Sequence, residues 1–350
     1  MGLTKFNNVG IKALTATVPH RIVKTRELTD FFSKEAIEKF IEATGVEERR
    51  FIDSDKCASD LCYQSACKIF DNTNIKPEDI DMLIFVTQMP DYKSPETSVI
   101  LQNKLGLRQE TICYDVNTAC TGFIRGLLMG YTFLQLSTIN NVLLLAGDTL
   151  SKLTSLQDKS TGMLLGDGGM AAVLSKGEQY GESYFSLNTD GAYIDSVLIP
   201  AGGSRIMSSM ETLQPKKYED GSIRSLEQVN MQGMDVFSYA ISVLPKDIKR
   251  LLSFANKDIN DIDKFAFHQA NNFMTNLIVK KVKADKAKIM HSINKYGNTA
   301  GVSIPLTIVE NREKINKGDS ILMNAIGAGF TYGTVLLNVA DCNILEIDEL

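Results

Sequence analysis

The chain has 350 residues and no tryptophan, only three histidines and eight prolines, and six cysteines with no CxxC pair among them. Without such pairs or a cluster of histidines, the ligand spacing of a zinc knuckle is missing, so no metal site is expected. No apolar run reaches the length that crosses a bilayer. The opening MGLTKFNNVG lacks the apolar segment of a secretion signal, and Phe6 stands where a myristoylation signal needs Ser or Thr. There is no GxxxxGK[ST] phosphate loop. The formal net charge of −5, from 37 basic and 42 acidic residues, gives no nucleic-acid signature. These absences lead to the expectation of a cytoplasmic protein without a membrane span, nucleic-acid partner or cofactor. Most of its thiols are expected to be small buried hydrophobes. Cys57, Cys62 and Cys67, five residues apart, fall on different faces of a helix.

Against this, 44% of the residues are hydrophobic, enough for a large core in two domains or one two-lobed body. Strand and helix patterns alternate. DMLIFVTQ (81–88) and NVLLLAGD (141–148) are near-continuous apolar runs, as in strands covered on both faces. SPETSVILQNKLG (94–106) has a helix start and a Gly stop. TICYDV (111–116) reads as a strand and GFIRGLLMGYTFLQ (122–135) as a helix apolar nearly all round, hence buried. GDGGMAAVLS (166–175) is a Gly turn leading into a strand. The same grammar returns about 150 residues later in DKFAFHQA (263–270), NNFMTNLIVKKV (271–282), DSILMNAIG (319–327) and GAGFTYGTVLLNV (327–339). This predicts an α/β protein of two duplicated halves, 1–178 and 179–350, with strand ends meeting at one cleft. Residues 203–232, polar and punctuated, read as a surface insertion or lid.

Cys120 in DVNTACTGF lies between a strand and a helix. A helix N-terminus favours the thiolate, so a depressed pKa is expected there. His268 in FAFHQAN occupies the corresponding place in the second half. His20 and His291 lie at polar segment edges without that context. Asn298 in YGNTAG is the third candidate, with a turn asparagine as its plain alternative. Cys113, in the preceding strand, is expected to be core.

DVNTACTGF, HQANN, YGNTAGVSIP and GAGFTYGTVLL, in that order, together with GIKALTATVPHRIVKTREL, TGVEERRFI and LLGDGGMAAVL, resemble the β-ketoacyl-acyl-carrier-protein synthase III family of the thiolase superfamily. The likeness spans nearly the whole chain. It implies a thiolase-like five-layer αβαβα fold, the half 1–178 carrying the nucleophile and the half 179–350 carrying His and Asn. Cys120 would take an acyl group from a thioester. His268 and Asn298 would donate hydrogen bonds to a malonyl thioester as it loses CO2. The backbone N–H groups of Cys120 and Ala328 would form the oxyanion hole. The product would be a 3-oxoacyl thioester. An acyl carrier protein is the implied partner, docked at Lys280 and Lys281, with coenzyme A or carrier-protein thioesters as substrates, and the family form is a homodimer.

The chain departs from the family pattern in several places. Lys39 and Ala43 stand where the housekeeping members place a Trp and an Arg against coenzyme A. Lys159 and Phe273 stand at two further family arginines. A lysine neither stacks nor grips bidentately as arginine does, which weighs against acetyl-coenzyme A. Ser94 replaces a Phe that closes the acyl site, and Ser94 and Phe330 are assigned to the acyl pocket, so a primer larger than acetyl is expected. Two other readings use the same residues. Cys, His and Asn in this order suit a cysteine-dependent hydrolase, although the duplicated halves and the position of the Cys do not. A non-catalytic carrier-binding homologue would typically have lost the nucleophile.

Overall fold

The computed structural model describes residues 2–350. Its principal strands are β1 (Leu3–Asn7), β2 (Val9–Val18), β3 (Met82–Val86), β4 (Ile112–Val116), β5 (Asn141–Thr149), β6 (Asp167–Lys176), β7 (Glu182–Thr189), β8 (Lys264–Phe267), β9 (Ser320–Gly327), β10 (Thr331–Asn338), β11 (Asn343–Ile344) and β12 (Asp348–Glu349). The principal helices are α1 (Lys34–Thr44), α2 (Ala58–Asn72), α3 (Thr97–Lys104), α4 (Gly122–Phe133), α5 (Gly233–Ala255), α6 (Asn272–Val282) and α7 (Ser303–Glu310).

Two sheets form. The first runs β11-β2-β6-β5-β3-β4, with β12 also on β2; the second runs β1-β7-β10-β9-β8. The apolar runs pair in parallel, β3 with β4 and β5, and β8 with β9. Parallel strands are covered on both faces, and the alternation along β3 shows it. Met82, Ile84 and Val86 enter a core shared with α4, α7 and the second sheet, whereas Leu83 and Phe85 pack on the opposite side against α2 and α3. On the far side of the second sheet, Phe265, Phe267, Leu322 and Leu336 pack on α5 and α6. The layers are therefore α2/α3, first sheet, α4/α7, second sheet, α5/α6, the five-layer αβαβα arrangement of a thiolase-like fold.

The sheets do not separate cleanly at residue 178. β1 adds to the second sheet and β11 and β12 add to the first. An edge-to-face trio of Phe6, Tyr131 and Phe185, with ring centroids 5.4–5.7 Å apart, holds β1 against α4 and β7. Each such pair is worth about 0.5–1.5 kcal/mol beyond its buried area. Strand β4 is an edge, and it leaves Ile112 and Tyr114 exposed. Cys113 on it is half-buried rather than core.

The segment 203–232 is more than a surface loop. Val197–Leu198 pairs with Asn230–Met231, and Val229 and Ser222 are buried. Arg224 donates to Asp158 at 2.7 Å in a buried ion pair and to Asn230 Oδ1 at 2.7 Å, with its guanidinium 3.9 Å from the Tyr218 ring centroid. Burying a charge is costly unless it is paired, so this pairing pins the segment to the 155–165 turn.

Candidate active site

Helix α4 places Cys120. Its first residue, Gly122, lies so close to β3 that a Cβ there would stand 2.8 Å from Val86 Cγ1. Just before the helix, Thr121 Oγ1 pairs with Thr331 Oγ1 at 2.7 Å and ties the turn to β10. Gly327, at the end of β9, lies against the same turn, where a Cβ would come 3.0 Å from the Cys120 backbone nitrogen. Glycine is required for that approach. Among the described residues, no backbone carbonyl accepts from the N–H of Cys120 or of Ala328.

Asn298 is fixed from both halves. Its N–H donates to Leu164 O and its carbonyl accepts from Gly166 N, both at 3.0 Å. Its side-chain Oδ1 accepts from Ala300 N at 2.9 Å. This assigns the amide orientation and leaves Nδ2 as the free end, a donor. His268 follows β8, and its N–H donates to Asn324 O of β9 at 2.8 Å. Its Nδ1 is 2.6 Å from Ser303 Oγ at the start of α7.

Cys120, His268 and Asn298 line one cavity of about 130 Å³ together with Ala328 and Phe330. Gln88, Leu150, Leu164, Val197, Val229, Met231 and Phe237 complete much of the wall, and no Asp, Glu, Lys or Arg lines it. That volume is space for roughly ten water-sized positions. Phe330 is fully buried and backed by Tyr193 and Tyr239.

Several expectations need correction. Ser94 is exposed and does not line the cavity, because the 90–96 loop turns outward before α3. Val229 and Met231, read from the sequence as part of a lid, form cavity wall instead. The thiol of Cys120 is not depressed in pKa. Burial, with the Asp148 carboxyl adding to it, pushes it up to about 12. The residue keeps partial exposure only because the cavity reaches it. Desolvation outweighs the helix terminus here. Burial likewise holds the His268 imidazole neutral, at about 4. Asp148 itself is pushed up to about 7 by burial, against hydrogen bonds from Gln88, Thr87 and Gly301.

The sequence reading missed Asp148, Gln88 and Ser303. Asp148 follows an apolar run at the end of β5, the one signal that could have marked it. Of the positions at which the chain departs from the housekeeping pattern, Lys39 pairs with Glu35, Ala43 is exposed, and Lys159 Nζ donates to Asp220 O. Phe273 is exposed and stacks on the cavity residue Phe237 at 5.5 Å. Lys281 reaches back to Ile241 O at 2.8 Å, and Lys280 lines a surface groove with Phe273, Lys283 and Lys286.

The fold and this cysteine-centred cavity define a thiolase-like acyltransferase. Residues 114–191 match the family described as 3-oxoacyl-[acyl-carrier-protein (ACP)] synthase III, and residues 252–339 match its C-terminal counterpart. A beta-ketoacyl-[acyl-carrier-protein] synthase III of Fusobacterium nucleatum is 34% identical over 340 residues, 95% of this chain and 99% of that protein. One from Clostridium perfringens is 33% identical, covering 92% of this chain and 96% of the relative. The crystal structure of a 3-oxoacyl-(acyl-carrier protein) synthase from Burkholderia xenovorans LB400 superposes with a TM-score of 0.91 at 29% identity, covering 99% of each chain. The chain belongs to the 3-oxoacyl-[acyl-carrier-protein] synthase III family, enzymes of Claisen condensation in fatty acid synthesis. Among the described residues no helix is long and apolar enough to cross a membrane.

Proposed function

We propose that the chain condenses an acyl primer larger than acetyl with malonyl-acyl-carrier protein, through an acyl-Cys120 intermediate. The observation that carries this reading is the meeting of Cys120, His268 and Asn298 on one apolar cavity free of carboxylates and lysines. Such a cavity has no strong base to deprotonate a carbon acid. A carbanion therefore has to come from loss of CO2, which needs only donors where negative charge develops.

In the first half-reaction the Cys120 sulfur displaces the carrier thiol from the acyl carbonyl, and the thiol proton ends on the departing sulfur. The Cys120 and Ala328 N–H groups hold the tetrahedral oxyanion. A raised thiol pKa is compatible with this, since resting thiol and acyl-thioester are both neutral and suit a dry cavity. In the second, the C–CO2 bond of the malonyl thioester breaks and its electron pair forms an enolate. The enolate oxygen is held by Asn298 Nδ2 and His268 Nε2. The enolate carbon then attacks acyl-Cys120, and the released sulfur takes up one proton.

The room of the cavity, beyond what a two-carbon acyl group fills, supports the larger primer; Ser94 no longer bears on it. The lysines on α6, with Lys246 and Lys249 on α5, form a basic face beside Phe273 that suits an acidic carrier protein. The exposed apolar residues of edge strand β4 support a homodimer. Carrier docking at Lys280 and Lys281 and the dimer are part of the proposal.

The test is intact-protein mass spectrometry after incubation with acyl-coenzyme A and acyl-carrier-protein thioesters of graded length, with Cys120→Ala as control. One acyl adduct, absent in the variant, supports the nucleophile and identifies the primer. Absence of any adduct overturns the proposal in favour of a non-catalytic carrier-binding homologue. An acid product without condensation favours a hydrolase.

A further inference from the structure

We infer that Ser303 is a positioning residue that keeps the His268 proton on Nε2, so that this nitrogen meets the substrate as a donor. The inference rests on the condensation reading for its catalytic meaning, though not for its structural content.

Ser303 is the first residue of α7 and is buried. Its Oγ has two neighbours with which it can hydrogen-bond, His268 Nδ1 at 2.6 Å and the Gln269 N–H at 3.4 Å. The Gln269 N–H can only donate, so it occupies a lone pair of the hydroxyl oxygen. The one acceptor within reach of the hydroxyl proton is then Nδ1, and that hydrogen bond forms when Nδ1 is the unprotonated nitrogen. A neutral imidazole with Nδ1 accepting carries its proton on Nε2.

The opposite tautomer would have Nδ1–H donating to Oγ. The hydroxyl proton would then be buried with no acceptor among the described residues. Leaving a buried donor unsatisfied disfavours that tautomer by roughly ten- to a hundredfold. The surroundings are too rigid to relax around it. Gln269 Nε2 donates to Phe267 O at 2.7 Å and Gln269 Oε1 accepts from Ser292 N at 3.2 Å. Thr307 Oγ1 donates to Ser303 O at 2.7 Å and shares a second hydrogen bond with Ser292 Oγ at 2.6 Å. Burial of the ring keeps it neutral, so two tautomers are the relevant alternatives.

The mechanistic consequence is a division of labour. With its proton on Nε2, His268 cannot accept the Cys120 proton at the same nitrogen. It serves the enolate, and acyl transfer to Cys120 proceeds without it as a base. Removing the Ser303 hydroxyl should therefore separate the two half-reactions.

The test uses 15N-imidazole-labelled protein. With three histidines in the chain, His268 is assigned by comparison with His268→Gln. At neutral pH the unmodified protein should show the Nε2–H tautomer, and Ser303→Ala should show a substantial Nδ1–H population. In the same variant, the kcat for CO2 release from a malonyl thioester should fall in proportion to the Nε2–H population lost, about twofold where the two tautomers become equally populated, with KM little changed. The rate of acyl-Cys120 formation should be unchanged. Ser303→Thr, which keeps the hydroxyl, should restore the tautomer and the rate. An Nδ1–H resting tautomer, or an unchanged tautomer and CO2 release in Ser303→Ala, overturns the inference. If the unmodified protein releases no CO2, the condensation reading fails, and the tautomer signals still decide the role of Ser303.

Discussion

Gly122→Ala probes how tightly the fold holds the nucleophile. The added Cβ would stand 2.8 Å from Val86 Cγ1, with Gly301 Cα at 3.5 Å and Thr118 Cγ2 at 3.7 Å. Carbon atoms in ordinary contact need roughly 3.5–4 Å, so something must move by at least about half an ångström. Val86, the last residue of β3 in the first sheet, is buried against α4 and has nowhere to swing. The start of α4 is the part that shifts, and Cys120 shifts with it. Overpacking costs about 1–3 kcal/mol. The usual helix gain of alanine over glycine, up to about 1 kcal/mol, is small at the first helical position. The expected net destabilisation is about 1–2 kcal/mol, a fall in Tm of a few degrees by calorimetry. Misplacement by about an ångström costs about a hundredfold in rate, so about half of that displacement should slow acyl-Cys120 formation about tenfold. Quenched-flow mass spectrometry measures that rate. A variant with unchanged Tm and an unchanged acylation rate would refute the reasoning, since it would show that the turn accommodates the methyl without moving the sulfur.

Other consequences follow from the same geometry. Asn298→Asp keeps the acceptor for Ala300 N but removes the Nδ2 donor and adds a negative charge, so condensation should fall by at least about a hundredfold while acylation of Cys120 persists. In the unacylated protein the raised pKa of Cys120 predicts iodoacetamide alkylation that climbs about tenfold per pH unit from pH 7 to 10; a plateau near pH 8–9 would contradict it. The depressed His268 pKa, about 4 against an ordinary 6.5, means the unfolded chain binds the extra proton between those values. Its stabilising contribution is present above pH 6.5 and is lost as pH falls through 4, about 3 kcal/mol in all. His268→Gln should flatten that part of an acid-denaturation curve. Arg224→Met leaves Asp158 buried without its partner and should cost about 3–5 kcal/mol, read as a lower denaturant midpoint and faster proteolysis within 203–232.

Much of this architecture is written locally. The near-continuous apolar runs of β3 and β5 and the all-round apolar helix α4 follow from covering on both faces, so these elements and their order were legible to within a few residues, whereas the long helix α5 was not marked. The motifs around Cys120, His268 and Asn298 were legible for the same reason, since each sits at an element end where backbone and side chain are constrained together. Three further things were not. The direction of the Cys120 pKa depends on how much protein surrounds the sulfur and on Asp148, 28 residues away in the chain, and desolvation is a property of packing rather than of the turn. The placement of Ser94 depends on which way its loop leaves β3. The cavity wall supplied by Val229 and Met231 depends on the buried Asp158–Arg224 pair that folds a polar segment inward. The sequence by itself determined which elements form and which reactive residues stand at their ends, because those are short-range effects. Only the tertiary structure decided which of them share a cavity and what charge each holds there, because burial and partnership arise between segments far apart in the chain.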